Sequence, residues 1–346
     1  MRAAVTRAQG LMEVVDVPEP QRPGPGEVLV RPEAVGLCGS DFHYYLGDLG
    51  TFEDSSGLYP RVQGHEAAAI LEEIGPDCPP GLQPGERVAL WPVASCGQCY
   101  PCSIGRDNAC ARIDLVGIHR DGALQQQLVL PARQVFPVGE QSPTLTALIE
   151  PVSIAMRTVV RGRVQEGERV VIFGAGPIGQ AVALAALDRG ASVLLVDRLA
   201  GRLEIGQTIG AETLALADDG DIVAEARAWA GPEGPEVVVE ATGVPGLVRS
   251  AVALVASAGR VLVVGLSSDD APLRVGDLAF KELDVLGVSC CGASEFAQAV
   301  DLVARRSDVA AALITHEFTL EQAPEAIAYA IAHPAEVMKA VVRLEP

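Results

Sequence analysis

The chain has 346 residues, of which 49% are hydrophobic and 21% are charged, and its formal net charge is −19. This length favours two domains over one hydrophobic core, and the composition excludes a long disordered tract. Nucleic acids and anionic membranes are bound through an excess of Lys and Arg, so the charge argues against both as partners. No apolar run is long enough to span a membrane and the first residues do not form a signal peptide, so we expect a cytoplasmic protein.

The composition and the pattern of predicted strands and helices change twice along the chain. Up to Glu150 it is rich in Gly and Pro, with short β-like runs such as Glu27–Val30 and Arg87–Leu90. From Arg169 onward apolar strands alternate with helical patterns, which is typical of βαβ units in a parallel sheet. The predicted segments of this part are strand Val170–Phe173, helix Gln180–Asp188, and strands Val193–Val196, Val237–Glu240 and Val261–Val264. After Cys290 an amphipathic stretch, Glu295–Arg305, and a β-like run, Ala340–Leu344, follow.

We therefore predict an α/β protein with two domains. A β-rich catalytic domain comprises residues 1–155 and 291–346, and a doubly wound parallel-sheet domain, residues 156–290, is inserted between its halves. The active cleft is expected at the junction of the two domains. The mostly apolar run Leu283–Val288 predicts an edge strand that pairs across a subunit interface, so a homodimer or homotetramer is expected.

Three short segments supply residues that suit a catalytic metal. The segments GLCGSDFH, GHE and IEP contain, in order, Cys38, Ser40, His43, His65, Glu66 and Glu150. A thiolate, an imidazole and carboxylate oxygens are the ligand types of a catalytic zinc that keeps one position open for water or an alcohol. Because a single Cys or His is more often a packing residue than a ligand, the indication rests on the whole set.

A four-cysteine loop is the most tightly spaced motif of the chain. Cys96, Cys99, Cys102 and Cys110 follow the pattern C-x2-C-x2-C-x7-C within one turn-rich segment. Four thiolates close a tetrahedral zinc shell and leave no position for a substrate, which predicts a structural zinc. The segment lacks the last spacing and the following proline of a bacterial iron–sulfur motif. A disulfide framework is not expected in a cytoplasmic chain of this length.

A glycine-rich turn opens the alternating part of the chain. The predicted strand leads directly into GAGPIG, which supplies Gly174, Gly176, Pro177, Ile178 and Gly179 before the predicted helix. Such glycines allow a tight turn, a close approach of the backbone to a pyrophosphate, and packing of the helix on the strand. The N-terminus of that helix then faces the phosphates of a dinucleotide.

The acidic residue that ends the next predicted strand favours NAD as the cofactor. Asp197 lies eighteen residues after Gly179, where a carboxylate accepts hydrogen bonds from the adenosine ribose and repels a 2′-phosphate. Arg198 and Arg202 are close by in the sequence, and an arginine at such a place can accommodate that phosphate. NADP therefore stays a second possibility.

These motifs, in this order, resemble the zinc-containing medium-chain dehydrogenase/reductase family, and the similarity runs the length of the chain. Within that family, IEP and GSDFHYY are similar to the branch with sorbitol dehydrogenase and its relatives that act on threonine and sugar acids. The resemblance implies a GroES-like catalytic domain joined to a Rossmann domain. One departure is Ala69, where the family often has glycine, and it removes no ligand.

The resemblance also implies roles for individual residues. Cys38 and His65 are the expected ligands of a catalytic zinc, Glu66 is the expected third ligand, and Glu150 is expected to coordinate the metal or hold its water. These four residues with the four-cysteine loop imply two zinc ions per chain.

Further roles that the resemblance implies concern protons and the cofactor. Ser40 and His43 are expected to relay the substrate proton to solvent, and Asp41 is expected to orient His65. Thr242 in EATG and Gly265 in VVGL are expected to lie beside the cofactor.

Four aromatic or histidine residues are candidates for the substrate pocket. By position relative to the zinc segments they are Tyr44, Tyr45, Phe52 and His119, and their hydrogen-bonding groups suit a polyhydroxylated substrate. The alternative is that they are ordinary core or interface residues. Cys78, Cys290 and Cys291 have no predicted role.

Together these features predict a zinc-dependent enzyme that transfers hydride from a secondary alcohol, in a polyol, sugar alcohol or sugar acid, to NAD. Three alternatives stay open. The first is a dehydrogenase for threonine or a simple alcohol. The second is a zinc-free enone or quinone reductase, which lacks paired ligands such as Cys38 and His65. The third is a non-catalytic NAD-binding protein, against which the intact set of metal-binding residues argues.

Overall fold

The structure is a computed structural model that describes residues 1–48 and 59–345. The chain divides into two compact units. The first unit comprises Met1–Glu150, Cys291–Ser307 and Ile314–Pro346, and the second comprises Pro151–Cys290 and Asp308–Leu313. None of the helices in the described ranges combines the length and the apolar character that a bilayer crossing requires.

The first unit is rich in strands. They are β1 (Arg2–Ala8), β2 (Leu11–Asp16), β3 (Glu27–Gly36), β4 (Arg61–Val62), β5 (Glu66–Ile74), β6 (Arg87–Leu90), β7 (Val93–Ala94), β8 (Asp114–Leu115), β9 (Leu128–Pro131), β10 (Val135–Pro137), β17 (Ile314–Thr319) and β18 (Lys339–Arg343). Its helices are α1 (Gly39–Leu46), α2 (Tyr100–Ser103), α3 (Pro143–Ala147), α10 (Ala293–Arg305) and α12 (Ala323–Ala332), with short 3-10 helices at Asp107–Ala109, Ala132–Gln134 and Leu320–Gln322. Helix α4 (Ile149–Arg161) begins in this unit and continues into the second.

A seven-stranded sheet forms the centre of the first unit. Its order is β10-β6-β5-β3-β18-β17, and β9 also pairs with β3. Buried and half-buried residues alternate along β3, as expected for a strand that packs one face on a core. In the antiparallel pair of β3 and β5, Gly36 lies opposite Glu66, and β18 pairs with the other edge of β3. The end of β3 and the starts of β5 and β18 therefore meet in one place.

The second unit has strands β11 (Arg169–Phe173), β12 (Ser192–Asp197), β13 (Glu212–Ala215), β14 (Val237–Glu240), β15 (Arg260–Val263) and β16 (Asp284–Gly287). Its helices are α5 (Pro177–Asp188), α6 (Ala200–Thr208), α7 (Ile222–Ala230), α8 (Pro245–Leu254), α9 (Val275–Phe280) and most of α11 (Ser307–Ala310), followed by a 3-10 helix at Ala311–Leu313. All neighbouring strands are parallel, in the order β13-β12-β11-β14-β15-β16.

This strand order is that of the doubly wound dinucleotide-binding fold, in which the direction of winding reverses between the first and fourth strands. Here the reversal lies between β11 and β14. Every residue of Val170–Phe173 and of Val237–Glu240 is buried, because helices cover both faces of such a sheet. The ends of these strands are the expected place for a dinucleotide.

The fold class predicted from the sequence is confirmed, since a GroES-like part and a parallel Rossmann sheet are both present. The predicted strands after Arg169 and the predicted helix Gln180–Asp188 coincide with β11, α5, β12, β14 and β15 to within a few residues. The β-like run Ala340–Leu344 corresponds to β18, which lies inside the sheet of the first unit.

Candidate active site

The metal-binding segments of the first unit meet at the ends of three strands. Cys38 follows β3 and precedes α1, and Glu66 is the first residue of β5. One ligand atom each from Cys38, His65 and Glu66 lies within 4.8 Å of the other two. Since His65 and Glu66 are buried and Cys38 is half-buried, this group combines a thiol, an imidazole and a carboxylate away from bulk water. Such a donor set is one that zinc binds.

His65 carries a buried nitrogen that fits a metal site. Its Nδ1 atom has no hydrogen-bond partner among the described residues, which is costly for a buried polar atom. Burial disfavours the charged imidazole, but the charges of Asp41, Cys38 and Glu150 outweigh this effect and raise the pKa of His65 well above its usual range. The imidazole is thus in a strongly negative environment, which favours a bound cation.

Asp41 stabilises the loops on both sides of the site. The distance from its Oδ1 to His65 Nδ1 is 3.9 Å, which is too long for a hydrogen bond. Its carboxylate instead accepts hydrogen bonds from the backbone N–H groups of Cys38, at 2.9 Å, and Gly64, at 3.4 Å, and from Gln63 Nε2, at 3.3 Å. Asp41 therefore connects the Cys38 segment to the His65 segment through the backbone.

Lys339, the first residue of β18, was not predicted from the sequence and completes the site. Its Nζ atom donates hydrogen bonds of 2.7 Å to both carboxylate oxygens of Glu66 and of 3.0 Å to the carbonyl of Leu37. Burial disfavours the ammonium group, but the carboxylate of Glu66 outweighs it and raises the pKa of Lys339. The orientation of Glu66 is thus set by a buried cation.

Gly36 provides the space that the Glu66 carboxylate occupies. It lies at the end of β3, directly opposite Glu66. A Cβ atom at Gly36 would overlap Glu66 Oε2 and would come within 3.2 Å of Glu66 Cβ. Any side chain larger than hydrogen at this position therefore displaces the carboxylate.

Glu150 is buried near this group but is not part of it. It lies in the first turn of α4, and its ligand atoms do not join the cluster of Cys38, His65 and Glu66 that the described residues form. Burial raises the pKa of Glu150 to about 7, and the carboxylate of Glu66 adds to this, while His65 lowers it. Its environment couples it electrostatically to the ligand group.

The two residues expected to relay a proton lie on α1, directly after Cys38. Ser40 is half-buried, and the side chain of His43 is 55% exposed with its Nδ1 atom 3.9 Å from Asp48 Oδ2. The helix thus leads from the half-buried Cys38 to a histidine at the surface.

The four-cysteine loop brings its sulfur atoms together. The Sγ atoms of Cys96, Cys99, Cys102 and Cys110 all lie within 4.8 Å of one another. The Sγ atom of Cys99 is 3.4 Å from that of Cys102 and 3.7 Å from that of Cys110. Sulfurs bound tetrahedrally to zinc lie about 3.8 Å apart, whereas a disulfide bond measures about 2.05 Å. The spacing fits a metal shell of four thiolates.

The surroundings of this loop shift its cysteines in opposite directions, since burial and the neighbouring thiols raise the pKa of Cys102 to about 11 whereas hydrogen-bond donors favour the thiolate of Cys96. The backbone N–H of Gln98 and the guanidinium of Arg112 lower the pKa of Cys96 to about 5. The backbone N–H groups of Cys96 and Arg112 both donate to Cys110 Sγ at 3.3 Å. Hydrogen bonds to the sulfurs compensate part of the negative charge that four thiolates bring together.

The glycine turn of the second unit is closely packed where a dinucleotide fold requires it. Gly174 has a left-handed backbone (φ +98°), and a Cβ there would lie 2.7 Å from Thr242 Cγ2. A Cβ at Gly179 would overlap the carbonyl oxygen of Gly174. At Gly176, the residue before α5, the nearest atom to a Cβ would be Arg202 Nη1 at 3.6 Å, so this position stays open for a ligand.

Asp197 ends β12 with its carboxylate held in place. The backbone N–H groups of Ala175 and Leu199 donate to its two oxygens at 2.7 and 2.9 Å. Arg202 Nη1 lies 3.9 Å from Asp197 Oδ2. Asp197 and Arg202 therefore both lie beside the glycine turn, where an acidic residue is expected to contact the adenosine ribose.

Comparisons with known proteins agree with this geometry. Residues 24–140 match the family model for the alcohol dehydrogenase GroES-like domain, and residues 177–305 match that for zinc-binding dehydrogenases. The chain is 33% identical to human sorbitol dehydrogenase over 93% of this chain and 90% of the relative. It is 31% identical to L-galactonate-5-dehydrogenase of Escherichia coli K12 over 92% of each. The chain belongs to the zinc-containing alcohol dehydrogenase family.

A solved structure is similar along its whole length. The crystal structure of RspB from Escherichia coli CFT073 in complex with NADH has a TM-score of 0.88 and 29% identity, with 99% of each chain covered. The predictions of this family and of a zinc- and NAD-dependent dehydrogenase are thereby confirmed.

A buried glutamate in this dehydrogenase organises the loop that contains Thr242, and the sequence did not single it out. Glu240 Oε1 accepts hydrogen bonds from the Thr242 hydroxyl, from the Thr242 N–H at 2.6 Å and from the Gly243 N–H at 3.1 Å. A Cβ at Gly265 would come within 2.7 Å of Glu240 Oε2. The backbone N–H groups of Val264 and Gly265 donate to the Glu240 carbonyl at 2.9 and 3.1 Å, so Glu240 connects the loops after β14 and β15.

The candidates for the substrate pocket that lie among the described residues each make a defined contact. Tyr44 is buried in the core, with its ring edge-on to Tyr59 at 5.3 Å, and Tyr45 donates from its hydroxyl to Gly10 O at 2.8 Å. His119 Nδ1 accepts from the backbone N–H of Leu115 at 2.9 Å. These contacts do not test a role in substrate binding, so Tyr44, Tyr45 and His119 as pocket residues stay a prediction. Phe52 lies outside the described residues.

Proposed function

We propose that this enzyme oxidises a secondary alcohol group of a polyol, sugar alcohol or sugar acid, with NAD as the hydride acceptor. The observation that carries the proposal is the buried group of Cys38, His65 and Glu66, whose ligand atoms lie within 4.8 Å of one another. The substrate class is supported by relatives named for sorbitol and L-galactonate, which are 33% and 31% identical to this chain.

We infer that Cys38, His65 and Glu66 hold the catalytic zinc and that Glu150 lies beside it. When bound, zinc supplies a Lewis acid for the alcohol oxygen and NAD accepts the hydride. The chain's contribution is to fix the donors before substrate arrives. Lys339 holds Glu66 by two hydrogen bonds of 2.7 Å, and the contacts of Asp41 hold the Cys38 and His65 segments together.

The substrate proton leaves, in this proposal, along α1. The hydroxyl of Ser40 accepts it near Cys38 and releases its own proton to His43, and His43 passes a proton to water, for which its 55% exposed side chain is suited. The four thiolates of Cys96, Cys99, Cys102 and Cys110 hold a second zinc that stabilises their loop and takes no part in chemistry.

We propose that the second unit binds NAD along the ends of its central strands. The residues in contact with the cofactor are Gly174, Gly176, Pro177, Ile178, Gly179, Asp197, Arg202, Thr242 and Gly265. In domain terms, residues 1–155 and 291–346 carry the zinc sites and residues 156–290 bind NAD. The glycine packing and the fixed carboxylate of Asp197 support this assignment.

A homodimer or homotetramer is proposed from the edge of the parallel sheet. Within the described residues, β16 has a partner only on its β15 side, and exposed edge strands invite pairing with another chain. Large apolar side chains near it in the sequence are exposed, namely Phe280 at 93% and Val275 at 76%. Light scattering that gives a monomer mass at micromolar concentration would contradict this proposal.

We also propose that the enzyme works in the cytoplasm. Its four-cysteine loop needs reduced thiolates to bind zinc, and a reducing compartment keeps them in that state. The substrate is a small alcohol, and the net charge of −19 disfavours a nucleic acid or a membrane surface as partner.

The deciding experiment measures NAD reduction with polyols, sugar acids, threonine and simple alcohols, together with the zinc content of the same sample. Turnover of a polyol or sugar acid by enzyme with two zinc ions per chain is expected. Turnover of threonine or a simple alcohol alone would replace the proposed substrate class. NADH binding without any turnover would identify a non-catalytic NAD-binding protein instead.

A further inference from the structure

Two arginines near the adenosine end of the proposed NAD site, Arg198 and Arg202, lie next to different carboxylates. Arg202 is directed at the glycine turn, with Nη1 3.9 Å from Asp197 Oδ2 and within 3.6 Å of a Cβ at Gly176. Arg198, the residue directly after Asp197, has its Nη1 atom 3.7 Å from Asp218 Oδ1. Only Arg202 is therefore directed at the turn that binds the pyrophosphate.

The position of Asp218 follows from the sheet. Strand β13 pairs with β12 so that Ala215 lies beside Asp197, and the backbone N–H of Leu216 donates to Asp197 O at 2.9 Å. Asp218 follows two residues later, in the loop at the carboxyl end of the same strand. The loop thus brings a second carboxylate next to the chain segment that contacts the adenosine ribose.

The carboxylates of Asp197 and Asp218 differ in exposure and in how firmly they are held. Asp197 is 12% exposed and fixed by two backbone N–H groups, so it cannot turn away from a 2′-phosphate. Asp218 is 97% exposed and Arg198 is 72% exposed, so their pair is open to water and ions. A guanidinium next to the ribose-binding carboxylate is the group that accommodates the 2′-phosphate of NADP.

We propose that Asp218 is a specificity-determining residue for the cofactor, because it pairs with Arg198 and so keeps this guanidinium from a 2′-phosphate. The inference rests on the proposed NAD site. Asp197 repels the 2′-phosphate directly and Arg202 is directed at the glycine turn, whereas Asp218 pairs with Arg198, the arginine next to Asp197 whose charge would otherwise compensate that of the phosphate. Replacing Asp218 by a neutral residue frees Arg198 and narrows the preference for NAD over NADP.

The test compares the dissociation constants of NADH and NADPH, which differ only by the 2′-phosphate, by titration of cofactor fluorescence. In Asp218→Asn we expect NADPH to bind about two- to fivefold more tightly, because exposed ion pairs have small coupling energies, and NADH to bind as in the wild type. The gain is expected to disappear in about 0.5 M salt, which screens exposed charges. The catalytic preference for NAD over NADP should fall by the same factor.

Two further variants separate this effect from a general change of charge. Asp219→Asn removes an equal charge one residue away and is expected to leave the ratio of the two dissociation constants unchanged. In an Arg198→Gln background, Asp218→Asn is expected to have no effect on NADPH. Equal shifts in Asp218→Asn and Asp219→Asn, or an unchanged NADPH constant in Asp218→Asn, would overturn the inference. Failure of the wild type to bind NADH would instead overturn the proposed NAD site, and the inference with it.

Discussion

The Nζ atom of Lys339 lies 2.7 Å from both carboxylate oxygens of Glu66, and both side chains are buried, at 3% and 1% exposure. A buried ion pair of this kind adds little to the stability of the fold compared with an apolar pair of the same size. Removing one partner nevertheless lowers the stability strongly, because the other partner is left as an unpaired buried charge. The geometry of a proposed zinc ligand and the stability of the first unit therefore depend on one contact.

In enzyme freed of zinc by a chelator, replacing Lys339 by methionine is expected to lower the free energy of unfolding by about 3–5 kcal/mol, since Glu66 would stay buried there without any cation. Denaturant titration of the zinc-free enzyme measures the loss. The matched control is Lys339→Met combined with Glu66→Gln, which leaves neither charge unpaired and should recover part of the loss. An unchanged unfolding midpoint in Lys339→Met would contradict the importance of the pair.

Replacing Gly36 by alanine is expected to displace the Glu66 carboxylate, because the added methyl group overlaps Oε2. Disturbing the surroundings of a metal ligand typically weakens metal binding by about 10–100-fold. Zinc content should therefore fall from two ions per chain toward one, with loss of NAD reduction. Gly39→Ala is the control, since a Cβ there has no neighbour within 4 Å. Full zinc content in Gly36→Ala would refute the role of Glu66.

Replacing Gly176 by alanine tests whether a pyrophosphate passes over the turn. A Cβ at Gly176 would lie 3.6 Å from its nearest neighbour, Arg202 Nη1. This distance is an ordinary van der Waals contact, so the fold and the melting temperature should not change. The methyl group would nevertheless stand where the backbone must approach the cofactor. We expect the dissociation constant of NADH to rise at least about tenfold, equivalent to roughly 1.4 kcal/mol. Gly246→Ala, which also has open space, should bind NADH normally.

Replacing Cys110 by serine is expected to remove the structural zinc only. Three sulfurs would remain where the described loop has four, so zinc content should fall to one per chain. The melting temperature should fall by on the order of 5–10 °C, because each kcal/mol corresponds to about 2–4 °C in a domain of this size. Cys78→Ser, outside both metal groups, is the control. Retention of two zinc ions by Cys110→Ser would show that the loop does not hold zinc.

Replacing Lys281 by methionine is expected to destabilise the second unit. Its Nζ atom donates to the carbonyls of Val252, Ala253 and Val255, at 3.1, 3.1 and 2.8 Å, which closes the C-terminal end of α8. Leaving these carbonyls without a donor should cost about 1–3 kcal/mol. Thermal unfolding measures it, and Lys281→Arg, which keeps the charge and the donors, should lose less. Identical unfolding of Lys281→Met and the wild type would contradict this role.

Short-range patterns predicted much of the fold and of the site. The four cysteines lie within one loop, and GAGPIG joins a strand directly to a helix, so spacing alone identifies both groups. The alternation of apolar strands and helices likewise predicted the parallel sheet, because βαβ units repeat along the chain.

Contacts between distant segments were not predictable in this way. Lys339 is 273 residues from Glu66 and carries no motif, so only the placement of β18 beside β3 reveals the pair. Tyr44 and Tyr45 follow the metal segment in sequence, but α1 directs Tyr44 into the core and Tyr45 toward Gly10. These contacts depend on the positions of the two tyrosines on α1, which periodicity over so short a helix does not define.

The separation of Glu66 and Lys339 also bears on how the protein is made. The ribosome synthesises the whole second unit after Glu66 and before β18, so the nascent chain carries an incomplete active site for most of its synthesis. The cysteine loop, by contrast, is complete once Cys110 has emerged. The proposed ligands of both zinc ions are therefore synthesised early, and the last part of the site to be made is the buried ammonium group that holds Glu66, which emerges only with β18.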